Sequence, residues 1–197
     1  MNLILASSSP RRADILRSAG FVFQVRPIHV DEARLPGESA EDYVLRVAKA
    51  KSHAAADQMR GSDPAAIIIA ADTVVLAKGE ILGKPQDAAD ARCMLRSLSG
   101  KSHEVLTGLS ILRIFDATEI LHIEKTRVEF LKMSEEEIEK YIQSGEPFDK
   151  AGAYGIQGIG GRFVARIEGC YFNVMGLPLS RMRTILKGLD WKESAGS

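Results

Sequence analysis

Cysteine is nearly absent: Cys93 and Cys170 are the only two in 197 residues. They lie far apart and in no metal-ligand spacing, which argues against a disulfide scaffold and a cysteine-built zinc site. Net charge is missing as well, with 26 basic and 26 acidic side chains. No global field would therefore draw nucleic acid or an anionic membrane surface. Aromatic residues make up only 6% of the chain and do not interleave with basic ones as they do in nucleic-acid-binding modules. No apolar run is long enough to span a bilayer, and Leu3 to Ala6 is too short for the core of a signal peptide. The expectation is a cytoplasmic protein with neither a nucleic-acid nor a membrane partner. A chain of this length can bury a real core. One domain over residues 1–191, in two lobes, followed by a polar tail at 192–197, is the expected organisation.

What is present concentrates in three stretches. The first is Asn2-Leu-Ile-Leu-Ala-Ser-Ser-Ser-Pro-Arg-Arg-Ala-Asp-Ile-Leu-Arg-Ser-Ala-Gly20. Leu3 to Ala6 reads as a buried strand. Ser9 is placed to cap a helix, Pro10 suits its first position and Gly20 its end. A strand entering a helix through hydroxyl-bearing residues presents free N–H groups and a positive dipole end. Arg11 and Arg12 add two cations where that dipole disfavours them, and a bound anion would turn both costs into gains. The same residues also read as a well-capped helix carrying two solvated arginines.

Phe21 to Ile28 reads as a second strand, followed by His29-Val-Asp-Glu32 and a loop through Pro36 and Gly37. Asp31 and Glu32 are adjacent and point to opposite faces of an extended chain, so only one serves a given site. Ser39 with Asp42 forms a capping box for a helix from Ala40 to Met59. Lys51 falls on the apolar stripe Val44, Val47, Ala48, Ala55. It is either a lysine snorkelling from the stripe edge or an ammonium aimed into a cleft.

The second stretch, Ile67-Ile-Ile-Ala-Ala-Asp-Thr-Val-Val-Leu76, reads as a central strand buried on both faces. Asp72 in its middle must be paired, metal-bound or open to a cleft, because an isolated buried charge is too costly. Thr73 points to the other face. Lys78-Gly79 forms a hairpin turn, and Gly83-Lys84-Pro85 holds Lys84 either as a plain surface turn or as a point charge for phosphate. Asp87 caps a helix that ends at Gly100. Strands follow over Val105–Ile114 and Ile120–Phe130 as an antiparallel pair, and then a helix from a Ser134–Glu137 capping box to Ser144.

The third stretch, residues 146–161, carries Asp149, Lys150, Tyr154 and Gln157 among glycines whose backbone can approach a ligand closely. It also reads as a flexible linker. Arg162 to Ile167 is a last strand and Leu179 to Leu186 a final helix. The order of elements gives an α/β class with a mixed twisted sheet in two lobes around a deep cleft.

Six motifs then resemble one family in its order along the chain. They are Ser-Ser-Ser-Pro-Arg-Arg at 7–12, Val-Asp-Glu at 30–32, Ala-Asp-Thr-Val-Val at 71–75 and Gly-Lys-Pro at 83–85. Asp-Lys-Ala-Gly-Ala-Tyr-Gly-Ile-Gln-Gly at 149–158 and Gly-Leu-Pro-Leu at 176–179 complete the set. The chain resembles the Maf family, the septum-formation-inhibitor-like nucleotide pyrophosphatases. The resemblance implies a fold similar to inosine triphosphate pyrophosphatases, frequent homodimers and metal-dependent cleavage of a nucleoside triphosphate between its α and β phosphates. Arg11, Thr73 and Gln157 match the branch acting on dTTP and UTP, where the 7-methyl-GTP branch has Trp, Gln and Glu. The family's usual Glu-Lys-Ala is Ala50-Lys51-Ser52 here, a departure that keeps the lysine.

On this resemblance, Ser8, Ser9, Arg12, Lys51 and Lys84 hold the triphosphate, and Glu32 with Asp72 holds Mg²⁺ or Mn²⁺. Asp72 is the base that activates water, and Arg11, Thr73 and Gln157 read the base of the nucleotide. Positioning and charge neutralisation dominate phosphoryl chemistry, which suits three cations and two carboxylates. The alternative is a nucleotide-binding regulator of septum formation that does not turn its ligand over.

Overall fold

The computed structural model describes residues 1–192; residues 193–197 of the expected tail lie outside the described residues. Strand β1 (Leu3–Leu5) runs into helix α1 (Pro10–Ser18), and β2 is confined to Gln24–Val25. Helix α2 spans Ala40–Met59, the bounds expected from its cap and stripe. Strands β3 (Ile67–Ala77) and β4 (Glu80–Leu82) precede α3 (Ala88–Leu98). Strands β5 (Ser102–Arg113) and β6 (Thr118–Phe130) lead to α4 (Glu135–Gln143). Three short 3-10 turns, Glu146–Asp149, Ala151–Ala153 and Ile159–Phe163, precede β7 (Val164–Glu168), α5 (Tyr171–Val174) and α6 (Leu179–Gly188).

The seven strands form one mixed sheet in the order β2-β1-β3-β5-β6-β7, with β4 paired to β3. Parallel pairing of β1 with β3 sets Leu3, Ile4 and Leu5 opposite Ile67, Ile68 and Ile69. The paired residues of both strands are continuous apolar runs, as burial on two faces requires. β3–β4 and β6–β7 are antiparallel. The β3–β4 turn is made by Lys78 and Gly79, both with positive φ, the requirement of a tight primed hairpin turn.

Three expectations change. The second strand is two residues rather than eight: Arg26 N already reaches Leu5 O, the last residue of β1, so the neighbouring strand ends there. Phe21, expected in that strand, stacks on Trp191 with ring centroids 5.5 Å apart. The final strand begins at Val164 because Ile159–Phe163 coils into a 3-10 turn.

The chain divides into two compact units. The first comprises residues 1–72, 107–124 and the part from Gly176 on; the second comprises 73–106 and 125–175. In the first, Ile4, Ile68, Ala70, Ala55, Ala56, Met59 and Leu112 pack together. Gly108 of β5 comes close to α2, where a Cβ would lie 2.3 Å from the carbonyl oxygen of Val44. In the second, Leu95 and Leu98 of α3 and Ile138 and Tyr141 of α4 close over Val105, Val128 and Phe130. No helix among the described residues is long and apolar enough to cross a membrane.

Candidate active site

The turn before α1 builds an arginine anchor. Ser9 stands at the N-cap position, but its hydroxyl makes no capping bond. The capping role expected of it passes to buried Ser7, whose Oγ accepts from Ser9 N at 3.2 Å and from Arg12 Nη1 at 3.1 Å. Arg12 Nε donates to the carbonyl of Gly176 at 2.7 Å. Arg12, only 9% exposed, is thereby fixed from two directions. Burial lowers its pKa; Asp72 raises it, Arg11 lowers it further and Glu32 raises it again. An arginine stays charged through such shifts.

Lys51 occupies the centre of the first unit's charge cluster. It sits on the buried stripe of α2 and is 7% exposed, and Asp72 on β3 is 8% exposed. Lys51 Nζ lies 2.8 Å from Asp72 Oδ1 and 2.7 Å from Glu32 Oε1. Asp72 is therefore paired, one of the three solutions open to a carboxylate at that depth. Glu32 reaches in from a segment without regular secondary structure, and about half of its side chain remains exposed.

Tyr43 joins this group. Its hydroxyl donates to the carbonyl of Glu32 at 3.0 Å. Burial, and then the negative charges of Asp72 and Glu32, push its phenol up to about 12, so it remains a hydrogen-bond donor at neutral pH. Beside it, Arg46 Nη2 donates to Ala33 O at 2.9 Å and Arg46 Nε grips Glu38 at 2.6 Å. Two successive carbonyls, at residues 32 and 33, are thus tied to α2.

Ser7, Arg12, Glu32, Tyr43, Lys51 and Asp72 share this place, and all belong to the first unit. Ser8 is exposed, and Ser9 and Arg11 are half-buried. Thr73, Lys84 and Gln157 belong to the second unit. Thr73 is half-buried on β3, next in sequence to Asp72; Lys84 is exposed just past β4, and Gln157 is exposed between the last two 3-10 turns. Sequence reasoning passed over Ser7 and Tyr43. A signal for Tyr43 was available: Tyr43, Val47 and Lys51 are spaced by four, which sets them in one row along α2.

The donor set fits a hard cation. Two carboxylates from different segments converge on a single positive atom, and oxygen ligands suit Mg²⁺ or Mn²⁺, which keep several waters and share phosphate oxygens. Among the described residues no group of three or more His, Cys, Asp or Glu side chains is arranged to hold a metal.

Comparison with known proteins finds relatives of the whole chain. The Maf-like protein family matches residues 2–189. The chain is similar to the dTTP/UTP pyrophosphatase of Anaeromyxobacter dehalogenans, 48% identical over 197 residues and 97% of each chain. It is also similar to the dTTP/UTP pyrophosphatase of Syntrophomonas wolfei, 50% identical over 182 residues, 92% of this chain and 94% of the relative. Among solved structures, a HAM1 protein from Coxiella burnetii aligns over 68% of this chain and 74% of its own, at 14% identity and a TM-score of 0.47.

Proposed function

The chain belongs to the Maf family, and from that membership we propose that it hydrolyses dTTP and UTP to the monophosphate and pyrophosphate with Mg²⁺ or Mn²⁺. The observation that carries the reading is Lys51, held between Asp72 and Glu32 at 2.8 and 2.7 Å, two carboxylates whose charge also acts on buried Arg12. Hydrophobic residues of similar volume would stabilise such a place at least as well. A phosphate chain with its cation is the ligand that uses both signs of charge.

In this mechanism Arg12 and Lys51, with Ser8 and Ser9 at the start of α1, bind phosphate oxygens. Arg12 is suited to a fork-like grip and Lys51 to a point charge. Asp72 holds the attacking water and accepts its proton as the water oxygen bonds to the α-phosphorus. The bond from the α-phosphorus to the bridging oxygen breaks, and pyrophosphate leaves with that electron pair. Glu32 and Asp72 would hold the metal, which when bound polarises the α-phosphoryl group. Lys51 keeps both carboxylates directed at one point. Lys84 is assigned to the phosphates, and Arg11, Thr73 and Gln157 to the base, on the family's pattern.

Hydroxyl and amide groups at 73 and 157 can match the O4, N3–H and O2 pattern of uracil and thymine. Cytosine reverses two of those hydrogen bonds, and each polar partner left unpaired costs about 1–3 kcal/mol. The test is pyrophosphate release with Mg²⁺ over dTTP, UTP, CTP and 7-methyl-GTP. The expected order places dTTP and UTP roughly thirtyfold or more above CTP in kcat/KM. Exchanging Arg11, Thr73 and Gln157 for Trp, Gln and Glu should move preference toward 7-methyl-GTP, whose cationic purine suits an aromatic face and a carboxylate. Nucleotide binding without pyrophosphate release would overturn the enzymatic reading and leave a nucleotide sensor.

A further inference from the structure

We propose that Glu146 and Tyr141 are positioning residues for base recognition, gripping by its backbone, on both sides, the segment that carries Gln157. The proposal rests on the reading that Gln157 meets the base. The grip itself belongs entirely to the second unit.

Residues 146–161 invite the description of a flexible glycine loop, yet much of the segment is buried, including Gly152, Ala153, Tyr154, Gly155 and Gly160. A single carboxylate organises it. Glu146 Oε1 accepts from Tyr141 Oη at 2.8 Å and from Gly160 N at 3.0 Å, and Glu146 Oε2 accepts from Ile159 N at 2.8 Å. Tyr141 Oη in turn accepts from Gly155 N at 3.2 Å. The backbone is therefore held at 155 and again at 159 and 160, two residues to either side of Gln157. Gln157 itself is exposed, so the course of its backbone is what places its amide.

The anchor is rigid. Tyr141 is 1% exposed on α4, and its ring meets Phe163 edge-on at 5.4 Å between centroids. Gly160 admits the grip because a Cβ there would come within 2.5 Å of Tyr141 Oη. Lys150 Nζ fastens the start of the segment by donating to Glu146 O at 2.7 Å. With three donors on its carboxylate, Glu146 is committed to the backbone and is not placed to serve as a base or a metal ligand. Burial opposes its charge, but the N–H groups of Gly160 and Ile159 and the Tyr141 hydroxyl outweigh it and hold its pKa below the ordinary carboxylate value.

The experiment compares Glu146→Gln, Tyr141→Phe and Gln157→Ala with the unmodified enzyme. It reads kcat and KM for dTTP and CTP, inhibition by inorganic pyrophosphate, and the thermal midpoint. Glu146→Gln should lower the dTTP-to-CTP ratio of kcat/KM about tenfold, mainly by raising KM for dTTP, with kcat within about twofold. Tyr141→Phe, which removes one hydroxyl and keeps the buried ring, should lower that ratio about threefold. Inhibition by pyrophosphate, which carries no base, should be unchanged. An unchanged ratio in Tyr141→Phe, beside a lowered ratio in Gln157→Ala, overturns the positioning role even if Glu146→Gln fails to fold. Proportional loss of kcat on both nucleotides also overturns it, because that is what general destabilisation would cause. An unchanged ratio in Gln157→Ala removes the base-reading role of Gln157 itself, and the proposal falls with it.

Discussion

Two buried polar clusters, one in each unit, meet the cost of burial in opposite ways. In the second unit His103 and Tyr154 are 3% and 5% exposed, with His103 Nε2 and Tyr154 Oη 2.7 Å apart. Phe130 stands edge-on to both, at 5.0 and 4.6 Å. Burial pushes His103 down to about 4 and pushes Tyr154 up, so both are neutral at neutral pH. The cluster behaves as a core with one internal hydrogen bond. In the first unit Lys51 keeps Glu32 and Asp72 in contact with an opposite charge, and the same two carboxylates act on the charge of Arg12. The neutral pair has one hydrogen bond and leaves His103 Nδ1 buried without a partner, whereas a charged group at this depth costs desolvation that pairing repays only in part. The difference separates a neutral polar cluster from a charged one, and the charged one is the proposed site.

The sharpest break of this comparison is Asp72→Asn. The amide cannot take a proton from water, and turnover should fall about 10²- to 10⁴-fold. Lys51 keeps Glu32 Oε1 at 2.7 Å, so the fold should persist, which circular dichroism and a thermal scan would check. Turnover near the unmodified rate would remove Asp72 as the base. Next in size is Lys51→Met, which leaves the Asp72 carboxylate buried without its ammonium. Breaking a buried pair from one side costs about 3 kcal/mol or more. Denaturant unfolding should show that loss, and Lys51→Met combined with Asp72→Asn should recover most of it without recovering activity. Two additive losses would show that the residues do not act as a pair.

The same contrast explains what was legible beforehand. Lys51 and Asp72 stood out because each interrupts an apolar pattern, on a helix stripe and in a strand, and a charge in such a place has few outcomes. The bounds of α2 were readable because the cap at Ser39 and the stripe agree, although the box is only half made. Ser39 Oγ accepts from Asp42 N, but it also donates to the Asp42 carboxylate. Tyr43 was legible only through its row with Val47 and Lys51 along α2, not through its partner. Its partner is a main-chain carbonyl 11 residues earlier, brought close by a fold-back that has no periodicity. Ser7, Ser8 and Ser9 are equivalent as letters, and only the approach of Arg12 makes the first of them the buried acceptor. Glycine spacing suggested an open loop at 146–161, because nothing in it reveals that the side chain of Glu146 will bind the backbone N–H groups.

The neutral cluster makes its own prediction, on stability and not on chemistry. The fold accepts His103 as neutral imidazole, with a pKa of about 4, while the unfolded chain takes up this proton near 6.5. This contribution to stability is therefore complete above pH 6.5. It declines as pH falls from 6.5 toward 4 and is lost below that, amounting to about 3 kcal/mol. His103→Gln retains a partner for Tyr154 Oη and has no such titration. The difference in unfolding free energy between the two proteins should narrow in favour of the variant across that window. A constant difference from pH 7 to 4 would show that His103 is protonated as easily in the fold as outside it.

The smallest effect sharpens the boundary of the charged cluster. Tyr43→Phe removes the donor to Glu32 O and leaves the Arg46 bond to Ala33 O in place. The lost hydrogen bond faces water and is worth about 0.5–1 kcal/mol, so the thermal midpoint should move by only a few degrees. Its consequence should fall on Glu32, whose side chain is half exposed and whose segment has no ladder to hold it. Since Glu32 is proposed as a metal ligand, the Mg²⁺ concentration for half-maximal activity should rise about two- to fivefold, in keeping with that energy. The maximal rate at saturating Mg²⁺ should stay close to that of the unmodified enzyme. Mn²⁺ affinity of the nucleotide-free protein, read by electron paramagnetic resonance, should weaken by the same factor. If metal dependence stays the same while the midpoint drops, the phenol fastens the segment without setting Glu32, and the working cluster ends at Lys51, Asp72 and Arg12.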